Sequence, residues 1–336
     1  MLYGSFVTLI TSGLDCSATS LNAPKVSIIM PCFNAASHLA DSIGSVLAQT
    51  FSNWELIAVD DGSQDDTLAL LRKQRDQRMR VHTQTNMGVS AARNAGLVLA
   101  RGEYVVFLDS DDKWSPDFLS EMLKAIQEDQ EVGLVYCGWQ NVGLAGPRGE
   151  PFVPPDYESA EKISTLLASN RWPIHACLTK RELVSAAKGF DTRFVIGEDF
   201  LLWLEIACFH RIRLVPKVLA YYVHHAGVQA TRDRVRAARQ LREVQETFLR
   251  RHPEIVRQLG SEIIREVTDG MLLARAFEAY WRRDLVTAQP IFRMALRGGG
   301  WRLHDLRYLV PSLLPGFMYR KLVTMADARS QGEPLP

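Results

Sequence analysis

Three carboxylates stand within four positions at Asp109, Asp111 and Asp112, directly after the apolar run Tyr104-Val105-Val106-Phe107-Leu108. The run is short and rich in β-branched and aromatic residues, so it predicts a buried strand. Ligand crevices of open α/β sheets lie at the carboxyl ends of strands, where these three aspartates fall. Neighbouring carboxylates repel and resist ionising together. A divalent cation carrying a diphosphate on its far side would relieve that repulsion. An acidic loop that faces water or caps the next helix is the plainer alternative.

Two further groups have the same placement. Asp60-Asp61-Gly62-Ser63 follows the apolar run Trp54 to Val59. A carboxylate there can accept a ring N–H of a nucleobase, or the four residues can form a turn and cap the next helix. Asn86, Gly88, Ser90, Ala92, Arg93, Asn94 and Gly96 form a small-residue pattern with one cation. It suits a helix lying close to a sheet, with Arg93 either reaching a phosphate or fixing the acidic loop. Farther on, Glu198-Asp199 opens an apolar stretch, Phe200 to His210, expected to be a buried helix. A carboxylate at that helix's N-terminus would be favoured in its charged form, as a general base requires.

The elements that must position these groups are legible from periodicity. Strands are predicted at Lys25 to Met30 (ended by Pro31), Trp54 to Val59, Arg80 to Thr83, Tyr104 to Leu108 and Val132 to Cys137. Helices are predicted at Asn34 to Gln49, Asp65 to Arg75, Ser90 to Ala100, Pro116 to Gln127 and Ile163 to Ser169. The alternation implies an α/β fold, a Rossmann-like, mostly parallel sheet flanked by helices. Gly143 to Pro155 reads as a loop, which with the Trp172 region would shape one side of the site. Beyond residue 230 strands cease, and helices are predicted at Arg232 to Arg251, Glu262 to Arg283 and Ala288 to Arg297. Ala276 to Ala295 has the look of one helix–turn–helix repeat unit, too little for a solenoid.

The expected organisation is a flexible leader at 1–23, an α/β domain at 24–230 and a helical C-terminal extension at 231–336. With 47% hydrophobic and 23% charged residues over 336 positions, the chain has the composition of a soluble globular protein. Its net charge of +1 gives no argument for nucleic acid. Charge is nonetheless uneven, with 19 Lys and Arg against 12 Asp and Glu from Thr231 onward. Five scattered cysteines without a C-x-x-C pair argue against disulfides and structural zinc, and for a reducing compartment. The short apolar stretch Leu2 to Ile10 has no basic residue before it, which argues against a signal peptide. No uncharged apolar run is long enough for a transmembrane helix.

Taken together, Val26-Ser27-Ile28-Ile29-Met30-Pro31-x-Phe33-Asn34, Ala48-Gln49-Thr50-Phe51, Asp60-Asp61-Gly62-Ser63, the Asn86 to Gly96 pattern, Asp109-x-Asp111-Asp112, Gly189-Phe190-Asp191 and Glu198-Asp199 resemble family 2 glycosyltransferases in order and spacing. The resemblance covers roughly residues 25–225. It implies a GT-A fold, a nucleotide-diphospho-sugar donor (a UDP-sugar first), Mg²⁺ or Mn²⁺, and inverting transfer to the hydroxyl of a saccharide or lipid-linked saccharide. By the same resemblance Pro31 and Phe33 line the base pocket, Asp61 contacts the base, and Arg93, Asp109 and Ser110 serve the donor. Asp111 is the main metal ligand with Asp109 beside it, and His224 is a further metal or diphosphate ligand. Asp199 is the general base, with Glu198 orienting it or bonding the acceptor.

The chain departs from the family pattern at Phe33, where Tyr is commoner, and at Leu201, Glu205 and Tyr222, where acidic or basic residues are common. A dinucleotide oxidoreductase is excluded, because Pro31-Cys32-Phe33-Asn34 stands where G-x-G-x-x-G should begin. A sugar-nucleotide pyrophosphorylase would want a Gly-rich basic loop at the same place. A non-catalytic GT-A-fold scaffold or nucleotide-sugar-binding protein is the remaining alternative. Basic helices beside apolar Leu309 to Phe317 suit an anionic membrane face, or else dock on the α/β domain. The expected location is cytoplasmic, at the inner face of the cell membrane if the membrane reading holds.

Overall fold

A computed structural model describes residues 23–224 and 233–331. The leader at 1–22, the boundary near 230, His225 and Arg232 lie outside the described residues. The first half alternates β1 (Val26–Cys32), α1 (Leu39–Leu47), β2 (Trp54–Asp60), α2 (Thr67–Lys73), β3 (Met79–Thr83), α3 (Val89–Leu99) and β4 (Tyr104–Phe107). β5 (Lys113–Trp114), α4 (Phe118–Gln127), β6 (Val132–Val142), α5 (Lys162–Ala168), β7 (Cys177–Lys180), α6 (Arg181–Ala186), α7 (Glu198–Ala207) and β8 (Arg211–Val223) follow.

One sheet runs β3-β2-β1-β4-β7-β6-β8-β5. β1, β2, β3 and β4 pair parallel, and every residue of β1 and β2 is buried, because helices cover both faces. The second half is mixed. β7 pairs antiparallel with β4 and β6, and β5 antiparallel with β8, while β6 and β8 run parallel. β7 and the thirteen-residue β8 are missed by periodicity, since β8 carries Arg211, Arg213 and Lys217 and is buried only in part.

Pro31 does not end β1. Ile29 O accepts from Leu108 N and Cys32 O accepts from Asp61 N, so alternate residues face β4 and β2. Pro31 turns its ring nitrogen towards β4, beyond the last pair of that ladder, Ile29 with Phe107. No hydrogen bond is lost there.

The C-terminal helices are α8 (Arg234–Arg251), α9 (Pro253–Arg265), α10 (Met271–Trp281), α11 (Leu285–Gly298), α12 (Leu306–Leu309) and α13 (Gly316–Gln331). The helix expected over Glu262 to Arg283 is two helices joined by a π-helical turn at Glu266–Gly270. That turn puts buried Asp269 2.8 Å from Arg242 of α8. α10 and α11 form a hairpin whose Phe277 and Phe292 rings meet edge-on, 5.2 Å between centroids.

Val244 and Phe248 of α8 and Ile255 of α9 share one core with Phe107, Phe200 and Trp203, whereas α10, α11 and α13 surround a core of their own. Glu205, a departure from the family pattern, takes Arg251 at 2.9 Å and His252 at 2.7 Å. The first two helices of the extension thus pack on the α/β unit. Among the described residues no helix is long and apolar enough to cross a membrane.

Candidate active site

The loops at the carboxyl ends of β1, β2 and β4 converge through short polar clamps. Asn34 adopts φ 50° after β1; its side-chain oxygen accepts from Gln64 N at 2.8 Å, and its own N–H donates to Ser63 Oγ at 3.0 Å. Gly62 sits at φ 73°, where a Cβ would lie 2.8 Å from Asn86 N, so no side chain fits. Gln49 receives Leu119 N and donates to the Ser45 and Ser115 carbonyls, which pins α1 to the chain after β5. Beside these clamps Phe33 is 47% exposed, while Pro31 is buried in β1.

Asp61 is 3% exposed and fully engaged: Oδ1 accepts from Gln84 Nε2 at 2.8 Å and Met87 N at 2.9 Å, and Oδ2 from Gly88 N at 2.8 Å. It ties the β2 tip to the turn before α3. Its neighbour Asp60 is as buried, yet Oδ1 has no partner among the described residues. The sequence offered Asp60 and Asp61 as one pair, with the base contact assigned to Asp61 by resemblance.

Arg93 is 2% exposed on α3. Its Nη2 donates to Asp109 Oδ1 and its Nη1 to Glu198 Oε1, both at 2.7 Å. Burial pulls its pKa down, but the two carboxylates outweigh it and hold the guanidinium above its ordinary value. Arg93 thus ties the acidic loop after β4 to the start of the segment at Glu198. The approach depends on Gly96, where a Cβ would stand 2.5 Å from Ile29 Cγ2 and push α3 off the sheet.

The three aspartates after β4 separate into different roles. Asp112 is buried: Oδ1 accepts from Val223 N at 2.9 Å, and Oδ2 lies 2.9 Å from Nδ1 of buried His175. Burial raises the Asp112 pKa, opposed by the His175 charge. Asp112 therefore anchors the loop to β8 and to the chain before β7, and Trp114 Nε1 donates to His175 O at 2.7 Å in the same anchor. Asp109 and Asp111 remain partly exposed. Ser110 holds the turn by accepting the Ser42 hydroxyl on its carbonyl at 2.8 Å. His175 and Asp112 had no distinct signature in the sequence, because their pairing spans two loops.

His224 follows Val223, whose N–H donates to Asp112 Oδ1 at 2.9 Å. Its Nε2 lies 3.2 Å from Asn141 Oδ1 and its ring 4.7 Å from that of Tyr222. Among the described residues no three His, Cys, Asp or Glu side chains converge as a ready metal cage. Asp109 and Asp111 are the oxygen donors that could hold a hard divalent cation. Two carboxylates suit an ion that keeps the rest of its shell for water and substrate phosphate.

On the opposite side α7 begins after Gly197, which is left-handed at φ 81°. Asp199 Oδ2 accepts from Asn170 Nδ2 and Oδ1 from Phe200 N, both at 2.8 Å. Two residues beyond Asn170, Trp172 is a buried ring stacked 4.5 Å from Tyr136. Burial raises the pKa of both Glu198 and Asp199, with Arg93 opposing. The helix N-terminus argued for an easily ionised Asp199; desolvation outweighs it. The Gly143 to Pro155 segment folds back along β6, where Trp139 and Phe152 exchange both backbone hydrogen bonds at 2.9 Å.

A Rossmann-like sheet with acidic loops at its carboxyl edge and C-terminal helices defines the GT-A class of transferase fold. The family model described as "Glycosyl transferase family 2" matches residues 27–173. The chain is 34% identical over 182 residues to the UDP-Glc:alpha-D-GlcNAc-diphosphoundecaprenol beta-1,3-glucosyltransferase WfgD of Escherichia coli, covering 54% of this chain and 69% of that one. It is 43% identical over 133 residues to the putative teichuronic acid biosynthesis glycosyltransferase TuaG of Bacillus subtilis, covering 39% of this chain and 52% of that one. The crystal structure of S. aureus TarS 1–349 superposes with a TM-score of 0.60 at 20% identity, covering 93% of both chains. This chain belongs to glycosyltransferase family 2, and it has relatives in cell-surface polysaccharide biosynthesis.

Proposed function

We propose that the protein is an inverting glycosyltransferase that moves a sugar from a nucleotide-diphospho-sugar, a UDP-sugar first, to the hydroxyl of a saccharide or lipid-linked saccharide in cell-surface glycan assembly. The observation that carries this reading is the single buried guanidinium of Arg93, bonded on one side to Asp109 of the donor loop and on the other to Glu198, next to Asp199. Donor and acceptor carboxylates are thereby held at a fixed separation across one cleft.

In this reading Phe33 stacks on the base above Pro31, and the tip of β2 at Asp61 borders the base. Asp109 and Asp111 would hold Mg²⁺ or Mn²⁺ beside the donor diphosphate. When bound, that ion supplies positive charge against the departing nucleoside diphosphate. Asp199, oriented by Asn170, accepts the acceptor's proton as the new C–O bond forms opposite the leaving group. Glu198, neutralised by Arg93, orients the acceptor side rather than competing for the proton.

Peripheral attachment to an anionic membrane at the cytoplasmic side belongs to the same proposal. Leu303, Val310, Leu313 and Phe317 are more than half exposed, and Arg307, Arg320 and Lys321 stand near them in the chain. Apolar side chains beside cations suit an anionic bilayer surface.

The test is a donor screen by thermal shift with UDP-, dTDP- and GDP-sugars plus Mn²⁺, followed by transfer to an acceptor. The configuration at the anomeric carbon is then read by NMR. Inverted product supports the reading. Retained configuration overturns the single-displacement chemistry, and donor binding without turnover favours the non-catalytic alternative.

A further inference from the structure

A pocket of about 350 Å³ lies between the Gly143 to Pro155 segment and helices α8, α10 and α11, apart from the acidic loops. Four arginines line it: Arg148 from the 3₁₀ turn at Gly146–Arg148, Arg234 from α8, Arg275 from α10 and Arg282 directly after α10. The one carboxylate in its wall is Glu278, already paired with Arg282 at 2.8 Å. Among the described residues, Arg148, Arg234 and Arg275 make no ion pair. Arg275 is partly buried, and desolvation pulls its pKa below the ordinary value against the opposing charge of Glu278.

Gathering four guanidinium groups around one cavity costs free energy through mutual repulsion and, at Arg275, through lost hydration. Packing does not demand it, since the cavity floor is built of Ala237, Ala238 and Ala279. An anion with several oxygens would relieve both costs. Guanidinium forks match phosphate oxygens in geometry, and each such contact is a charge-assisted hydrogen bond. The position of the pocket supplies the second part of the argument. Leu241, in its wall, is the residue whose Cδ2 would lie 3.1 Å from a Cβ on Gly197, the residue before Glu198 and Asp199. The pocket therefore backs onto the acceptor side of the cleft, not the donor side.

We propose that this pocket binds the phosphate groups of the acceptor, holding them while a hydroxyl of the same molecule reaches Asp199. This rests on the reading of the chain as a transferase with a saccharide acceptor. Two sources share the chemistry: the diphosphate joining a saccharide to a lipid, and the phosphodiesters of a polyol-phosphate polymer.

The experiment uses the full chain, the single variants Arg148→Gln and Arg275→Gln, and the double variant, with circular dichroism as the control for folding. In the first arm inorganic pyrophosphate is titrated by calorimetry in EDTA, so that no metal-held diphosphate contributes. The wild type is expected to bind, and the double variant to bind at least tenfold more weakly. Because Arg148 is exposed on a surface turn, its single variant keeps the test sound even if Arg275→Gln fails to fold. A wild type that does not bind pyrophosphate, or variants that bind it equally, overturns the proposal whether or not the protein transfers sugar.

In the second arm, transfer to a sugar linked by diphosphate to a short prenyl chain is compared with transfer to the same sugar on an alkyl chain. The double variant should raise KM for the diphosphate acceptor at least tenfold, with donor KM and donor hydrolysis within twofold of wild type. Inhibition by poly(glycerol phosphate) that disappears in the variant would identify the polymer as the source. An unchanged KM for the diphosphate acceptor together with unchanged inhibition overturns the proposal. Absence of donor turnover in the wild type would count against the transferase reading alone.

Discussion

Arg93 and Glu198 stand 105 positions apart in the chain, yet Nη1 of one lies 2.7 Å from Oε1 of the other. The same guanidinium reaches Asp109, so one side chain joins the two edges of the cleft. Removing it leaves carboxylates without their cation in a largely dry site. Arg93→Met is expected to cost about 3–5 kcal/mol, the range for breaking a buried ion pair from one side. Arg93→Lys keeps the charge but cannot span both carboxylates, so it should fall between the two. Urea denaturation measures the loss; a cost below about 1 kcal/mol would show that the bridge is not a structural tie.

Asp199→Asn separates a base from a helix residue. Asn replaces Asp well near a helix N-terminus, and the amide can still meet Asn170. Fold and donor affinity should persist while transfer drops roughly 10²–10⁴-fold, the usual worth of a positioned base. Near-normal turnover in a folded variant would move the role to Glu198.

The pH dependence follows from the raised pKa values of Glu198 and Asp199. A carboxyl whose folded pKa lies above its unfolded value favours the protonated folded state. Its contribution to stability is full below the unfolded pKa, near 4, and is lost as pH rises through the folded value. Activity runs the other way, since Asp199 accepts a proton only when ionised. The acid limb of kcat should therefore lie above an ordinary aspartate's value, and Asn170→Ala should move it further up by removing a hydrogen bond to the charged form. An acid limb near pH 4 in both proteins would contradict the assignment.

Asp111→Asn and chelation should act alike. Each is expected to weaken donor binding, and the variant should lose most of its response to added Mn²⁺. Calorimetric donor affinity that survives both treatments would remove the metal from the mechanism. Asp112→Asn is the control, because its carboxylate is turned to His175 and Val223 N; it should lower stability more than metal response.

Phe248→Ala tests the docking of α8. The ring is fully buried in the core shared with Phe200 and Trp203, and its loss should cost about 3–5 kcal/mol. Truncation near residue 230 should then leave an unstable α/β unit. A truncated chain as stable as the full protein would mean that α8 contributes little to that core.

The sequence by itself determined what is local. Apolar runs of five to seven residues could only be buried strands, and acidic groups directly after them could only lie at the carboxyl edge of the sheet, as Asp60, Asp61, Asp109 and Asp111 do. Helices α1 to α4 and α7 were legible because their apolar spacing or their all-round burial is written in consecutive residues. What the tertiary structure decided is the partner of each charge. Nothing near Asp112 distinguishes it from Asp111, yet Asp112 is buried against His175 while Asp111 stays partly exposed, because only folding brings residue 175 to the loop. Arg93 meets Glu198 only because folding brings it from across the cleft. The surroundings of the C-terminal helices' charges were decided in the same way. Arg251 meets Glu205 and Asp191 on the α/β unit, whereas Arg148, Arg234 and Arg275 are gathered from separate elements around one cavity. Charge pairing acts over a few ångströms of space, and spacing along the chain does not encode it.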